Sequence, residues 1–224
     1  MLVAGDLIKK CAVTLKDPEY VRWGQDELLG YLDEAQREIA RTPGAYVKTV
    51  VQDLVKGTKQ LLPADNSRLL SIVRNWTVTD EPCEPVRIIT RALLDAFDPY
   101  WHMCPRRRLV ENYMYDDRTP MSYFVYPPND GTGRVEVMYS PIPEKITSIS
   151  DSLVLREEFE TPLLAFVLYR AYSKDSDYSA GMQLATTYFT TYTTSLQTAM
   201  QAAGAATPNA TLVKGAVKPN GSTE

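Results

Sequence analysis

The sequence is short of the residues that do most catalysis. His102 is its single histidine, which excludes any scheme needing two imidazoles from one chain, a two-histidine zinc site included. The three cysteines, Cys11, Cys83 and Cys104, are odd in number and lack the close pairing of metal knuckles, so they read as reduced structural thiols. No apolar run reaches the ~18 residues of a membrane span. The first thirteen residues carry Asp6, Lys9 and Lys10 where a secretory signal would be apolar, so the expectation is synthesis in the cytoplasm with no membrane association. Positive charge is also short: 24 Lys and Arg stand against 28 Asp and Glu, a net charge of -4. That balance supplies no general attraction for nucleic acid and argues against a dedicated DNA binder. No GxGxxG, phosphate-binding loop or nucleophile elbow occurs, and Lys56-Gly57-Thr58 is long enough only for a hairpin turn.

What is present is ample material for a core. The chain has 224 residues, 44% of them hydrophobic and 23% charged, and folding at this size removes roughly 70% of the surface the unfolded chain exposes. Helical spacing of apolar residues predicts helices over about 5–16 (Leu7, Ile8, Cys11, Ala12, Leu15) and 24–41 (Leu28, Leu32, Ala35, Ile39). The second has Gly24 at the N-cap and Asp26 and Glu27 in its first turn. A third helix is predicted over 87–101 through Ile88, Ile89, Ala92, Leu93 and Ala96, stopping at Asp98-Pro99. Two longer ones follow at 156–174, with Thr161 as cap for a helix restarted at Pro162, and at 177–203.

Runs rich in β-branched and aromatic residues predict strands at 49–55 and 58–62, read as a hairpin across Lys56-Gly57. Three more, at 110–115, 122–126 and 134–139, are separated by turns and read most economically as a meander. The segment 69–78 fits a helical turn by Leu69, Leu70, Ile72 and Val73 and a strand by Trp76-Thr77-Val78, and stays open. The fold class expected is α+β, a helical bundle with an inserted antiparallel β-meander. Residues 1–203 form the body and 204–224 an extended arm, because beyond Ala203 only Leu212, Val213 and Val217 offer apolar anchors. Such an arm gains order by docking on a partner, as an added strand or a groove peptide, with Lys214 and Lys218 meeting acidic groups.

Candidate chemistry is thin. Arg106-Arg107-Arg108 is the only run of three basic residues, suited to a partner's carboxylates or to phosphates, or simply to a solvated loop. Glu157, Glu158 and Glu160 are either a general acid and base, with His102 the one imidazole available to them, or ordinary charge at a helix start. His102-Met103-Cys104 holds the minimum for a thiolate nucleophile, but residues two apart do not face each other on a helix, which favours a packed loop. The 14 tyrosines suit sheets and interfaces, each joining a large apolar area to a polar tip.

An ordered series of segments carries more than any of these. It runs from Asp26-Glu27-Leu28-Leu29 and Asp33-Glu34-Ala35-Gln36-Arg37-Glu38-Ile39 to Leu62-Pro63-Ala64, Arg68-Leu69-Leu70 and Val73-Arg74-Asn75. Arg91-Ala92-Leu93-Leu94-Asp95, Asp98-Pro99, Trp101-His102, Tyr115-Asp116-Asp117-Arg118 and Tyr123-Phe124-Val125-Tyr126-Pro127-Pro128 follow, ending at Leu168-Tyr169-Arg170-Ala171-Tyr172-Ser173-Lys174-Asp175. In this order, over roughly residues 5 to 200, the chain resembles the adaptor proteins of tailed phages, the head-to-tail connectors below the portal. The resemblance implies a virion subunit without enzymatic activity or cofactor. It also implies a dodecameric ring of identical subunits, with the portal protein on one side, a tail tube or nozzle protein on the other, and genomic DNA passing through without sequence-specific binding. The turn from Pro127 to Gly133 would then be matched to one tail partner. Rival readings are another phage ring component, such as a head-completion or tail-terminator protein, and a small carboxylate-dependent hydrolase.

Overall fold

The computed structural model describes residues 1–174 and 179–205; the expected arm residues Leu212, Val213, Lys214, Val217 and Lys218 lie outside them. The fold class is α+β. By its internal contacts the chain divides into two compact units, a helical one formed by Met1–Ile39 with the chain from Glu144 onward, and a β unit, Ala40–Pro143, inserted between them.

In the helical unit, α1 (Ala4–Thr14) and α2 (Gln25–Ala40) follow the apolar stripes of the sequence. Leu7, Ile8, Cys11 and Ala12 of α1 and Leu28, Leu32, Ala35 and Ile39 of α2 are all buried. The link between the helices is tied by Asp17, whose carboxylate accepts the backbone N–H groups of Val21 (2.8 Å), Arg22 (2.8 Å) and Trp23 (3.0 Å). These bonds, led by that from Trp23, hold its pKa below the usual carboxylate value. Two buried polar side chains of α2 serve the returning chain: Asp33 accepts from the N–H of Ile146 (2.9 Å) and Gln36 from that of Val154 (3.0 Å). A 3-10 turn, Glu157–Phe159, leads into α4 (Glu160–Lys174), and α5 (Ser179–Ala205) packs along α4. The expected cap at Thr161 is corrected. The helix already starts at Glu160, so Pro162 falls in the first turn, where backbone N–H groups have no intrahelical partner in any case.

The β unit holds two four-stranded sheets. One runs β1 (Lys48–Asp53), β8 (Arg134–Pro141), β3 (Asn66–Trp76), β4 (Pro82–Pro85); the other runs β2 (Gly57–Leu61), β7 (Ser122–Asn129), β6 (Asn112–Tyr115), β5 (Arg87–Ile88). All pairings are antiparallel except the short β5–β6 one. Strands β7 and β8 alternate buried and half-buried residues until their last turns, and their inward side chains Tyr123, Val125, Val135, Val137 and Tyr139 share one core with Leu69 and Ile72 of β3. Two sheets facing across one core make a sandwich.

The structure settles one open segment and changes three expectations. The open segment 69–78 is mostly strand: Leu69 and Ile72 of β3 both face the core although three residues apart, because the strand is bulged between them. The hairpin at 49–62 does not form: β1 pairs with β8 and β2 with β7, so the turn at Gly57 carries the chain from one sheet to the other. Gly57 has φ +116, a conformation that favours glycine. The meander keeps its β6–β7 pair, but β8 crosses to the other sheet. The predicted helix at 87–101 resolves into β5, a seven-residue helix α3 (Arg91–Phe97) capped by the Thr90 side chain, and a 3-10 turn at Trp101–Met103. A parallel ladder from Arg87 and Ile88 to Asn112 and Tyr113 claims the first residues. Asp98-Pro99 ends the helix that remains.

Candidate assembly surfaces

The three arginines lie on a strap that crosses the end of β7. Arg107 donates its N–H to the Pro128 carbonyl (2.8 Å), and its own carbonyl accepts from Asp130 N–H (3.1 Å). Beneath it, the fully buried Asn129 donates Nδ2 to the carbonyls of Arg107 (3.1 Å) and Arg108 (2.8 Å) and accepts the N–H groups of Gly131 (2.8 Å) and Gly133 (3.2 Å). A Cβ at Gly133 would stand 2.2 Å from Asn129 Nδ2 and 2.3 Å from the Arg108 carbonyl oxygen, so only glycine fits. Further on, Asn75 of β3 holds Val110 at both backbone groups, accepting its N–H (3.0 Å) and donating to its carbonyl (2.8 Å). The strap is thereby fixed at both ends.

Arg106 and Arg107 are exposed, and Arg107 meets Glu111 at 3.1 Å. Arg108 is half-buried, and its Nε has no hydrogen-bond partner among the described residues. The carboxyl of nearby Asp130 is held below its usual value mainly by bonds from Thr132, with a smaller contribution from the Arg108 charge. Arg87, Arg107 and Arg108 line a groove of ≈ 740 Å³ together with Glu84, Glu111 and Asn112. Guanidinium forks on a fixed backbone suit carboxylates in a bidentate way, whereas the interspersed glutamates oppose a continuous phosphate chain.

A second surface follows β5. The Trp101 ring is fully buried, packs with Leu94 and Met114, and donates Nε1–H to Asp95 (2.8 Å). This anchor holds Leu93, Phe97, Tyr100 and Met103 in solvent, with Phe97 and Met103 each 82% exposed. Sequence reasoning missed this surface because it read 87–101 as one amphipathic helix. It missed Asn129, Gly133 and Asn75 as well, reading 127–133 as a turn; the signal was available in Asn129-Asp130-Gly131-Thr132-Gly133, where a side chain that accepts and donates is followed by two glycines.

The proposed catalytic groups are each otherwise engaged. Glu157 pairs with the Met1 ammonium at 2.5 Å, Glu158 with Arg156 at 2.7 Å and Glu160 with Lys10. The bond from the ammonium holds Glu157 below its ordinary pKa. Three carboxylates with three separate cations do not share a proton, which general acid–base work by a pair requires. His102 stacks on Trp101 with ring centroids 3.6 Å apart and meets the Thr58 hydroxyl at 2.8 Å through Nδ1. Cys104 donates instead to Asp98 (3.1 Å), and that bond raises its thiol pKa, the reverse of what a thiolate nucleophile needs. Burial alone pushes the Cys11 thiol up to about 12. Among the described residues no group of three or more His, Cys, Asp or Glu side chains is arranged to hold a metal ion, and no described helix is long and apolar enough to cross a membrane.

The distinctive side chains among the described residues thus lie on exposed straps and loops. The model of the SU10 adaptor protein family matches residues 4–212, and the chain belongs to that family, a phage adaptor type of structural protein. No curated protein matches the chain.

Proposed function

We propose that this protein is a head-to-tail adaptor subunit of a tailed-phage virion, assembling as a ring, dodecameric by family resemblance, between portal and tail and leaving a channel for DNA. The observation that carries the reading is the family match over residues 4–212, which runs through both units rather than along one of them. The division of labour follows from chemistry. The arm, which follows the end of α5 at Ala205, anchors on the portal through Leu212, Val213 and Val217, with Lys214 and Lys218 against acidic groups. The fixed arginines at 106–108 meet carboxylates on a protein partner, and DNA passes an acidic assembly without being gripped, since each subunit carries a net charge of -4.

Each arm buries little and so binds weakly, while many arms in one ring bind tightly. The test is co-sedimentation of the full chain with portal particles of the same phage, followed by electron microscopy of the product. A ring of adaptor density below the portal, lost on truncation after Ala203 while thermal unfolding of the subunit stays unchanged, is the expected result. Association with tail ends but not with portals would overturn the reading in favour of a tail-terminator role.

A further inference from the structure

Arg87 stands outside the arginine run in the sequence, yet the fold brings it into the groove that Arg107 and Arg108 line. Arg106, the first of the run, is not among the lining residues. The groove, of ≈ 740 Å³, has two walls: Glu84, Pro85 and Arg87 on β4 and β5, and the strap at 107–112. Asn75 ties them together, because its Nδ2 donates both to the Glu84 carbonyl (3.1 Å) and to the Val110 carbonyl (2.8 Å). Arg87 adds a bond from its own N–H to the Glu111 carbonyl (3.0 Å). The cleft is therefore preformed, and a ligand entering it has little backbone to order.

Its charges do not cancel. Arg107 is matched by Glu111 at 3.1 Å, whereas Arg87 and Arg108 have no ion pair among the described residues and Glu84 is the one unpaired carboxylate beside them. Arg108 is the more telling of the two. It is half-buried, its Nε is closed off from solvent without a partner, and so its terminal nitrogens are the donors left for a ligand. Asp130 feels the Arg108 charge, but its Oδ1 already accepts the Thr132 N–H (2.8 Å) and hydroxyl (2.7 Å). A guanidinium drawn partly out of water with no carboxylate bonded to it is destabilising, and Asn129 fixes the backbone that puts it there. The described residues do not supply the carboxylate that would offset it.

We infer that this groove binds the carboxylates of an acidic protein segment, with Arg87 and Arg108 as the residues that hold them and Arg106 outside the contact. Three features select that occupant. Two unpaired guanidiniums present forks that fit carboxylates. Glu84 and Glu111 stand among the arginines, so a continuous phosphate chain meets repulsion that separate carboxylates avoid. Finally, β4 is an edge strand that begins at Pro82 and ends at Pro85, neither of which has an N–H to give an added strand. Recognition at this edge falls to side chains. The inference narrows the arginine contact proposed above to Arg107 and Arg108, adds Arg87, and rests on the adaptor reading only for the source of the segment, a neighbouring virion protein.

Fluorescence anisotropy of the full chain tests it with three labelled probes: a peptide of alternating aspartate and serine, the same peptide with asparagine for aspartate, and a short duplex DNA. The aspartate peptide alone is expected to bind. Arg87→Gln with Arg108→Gln should weaken it roughly tenfold or more, and Arg87→Lys with Arg108→Lys should recover only part, since lysine keeps the charge but loses the fork. Arg87→Gln should weaken binding more than Arg106→Gln, and Lys59→Gln, the same charge change on β2 outside the groove, should leave it intact. Glu84→Gln, on an exposed side chain that carries no fold contact, should tighten it, which keeps the test decisive if the Arg108 variant unfolds. An aspartate peptide that does not bind, equal effects at Arg87 and Arg106, or weaker binding in Glu84→Gln each overturns the inference. So does DNA binding that the arginine pair abolishes, which would make the groove a phosphate site. Co-sedimentation separates the two readings: arginine-pair protein that loads on portals and tails as wild type does refutes the groove and leaves the adaptor role standing, whereas peptide binding by a protein that joins no virion particle upholds the groove and refutes the role.

Discussion

Arg134 on β8 holds two carboxylates, Asp53 at 3.1 Å and Asp80 at 2.6 Å, one from the end of β1 and one from the turn between β3 and β4. In the helical unit, α5 offers no charge at all. The β unit uses ion pairs to tie its own strand ends together, with Lys48–Asp65, Arg68–Asp117 and Arg74–Glu136 repeating the pattern. Exposed pairs of this kind add little stability each, but they leave edge strands guarded by charge, which discourages unintended strand pairing. The helical unit instead concentrates its charges on α1, α2 and α4, as in Lys174–Glu27 and Arg170–Glu34, and leaves one flank free of them. The exposed surface of the β unit thus mixes ion pairs with the apolar side chains Phe97, Tyr100 and Met103, whereas that of α5 carries no charge.

The contrast can be broken most forcefully in the helical core. Phe159 is fully buried at the start of α4, and Phe159→Ala should cost about 3–5 kcal/mol in urea unfolding. Cys11 provides a reporter local to that unit, since its thiol, raised to about 12, is inert until α1 opens. Labelling of Cys11 should move to lower urea in the variant, while an unchanged labelling midpoint would mean that the ring packs elsewhere.

Next in size is Asn129→Ala, which removes four hydrogen bonds from the strap of the β unit. At about 1 kcal/mol net for each, a loss of roughly 3–4 kcal/mol is expected, with faster amide exchange at Gly131 and Gly133 as the local signature. Smaller and of opposite sign is Tyr123→Phe. The Tyr123 ring is fully buried, its hydroxyl has no partner among the described residues, and burial raises its pKa. Removing the oxygen should stabilise the protein by about 1 kcal/mol; a destabilised variant would reveal a partner for it.

The finest test is in pH. Asp17 has its folded pKa depressed, so the stability it supplies is present above the ordinary carboxylate value and is lost as pH falls through the folded value. Asp17→Asn should lower the melting temperature at pH 7, and the gap from wild type should close as the solution is brought to about pH 2. A gap that persists at low pH would assign the effect to packing rather than to charge.

The same contrast governs what was readable in the sequence. The stripe Leu28, Leu32, Ala35, Ile39 contains its own answer, because helical partners lie three and four residues away. The strands were recognised as strands, yet their neighbours were not. Lys48 faces Tyr139 and Leu61 faces Ser122, and no local pattern encodes pairings across sixty or ninety residues. A turn signal at Lys56-Gly57 was read as joining two strands of one ladder when it joins two sheets. The arginine run was visible because charge is visible. The asparagines that fix it were not, since a buried amide announces itself only once the groups around it are known.

One register has an evolutionary consequence. The first and last strands of the inserted unit, β1 and β8, are direct antiparallel neighbours, paired from Lys48↔Tyr139 to Asp53↔Arg134, so the chain leaves the sandwich beside the point where it came in. A host chain interrupted there meets two ends held about 5 Å apart, no farther than across a tight turn, and the loop-closure cost of some hundred extra residues is borne by the sandwich's own folding. Such a module can be exchanged, enlarged or remodelled between relatives with little demand on the helices that carry it, which makes it the natural place for partner specificity to diverge.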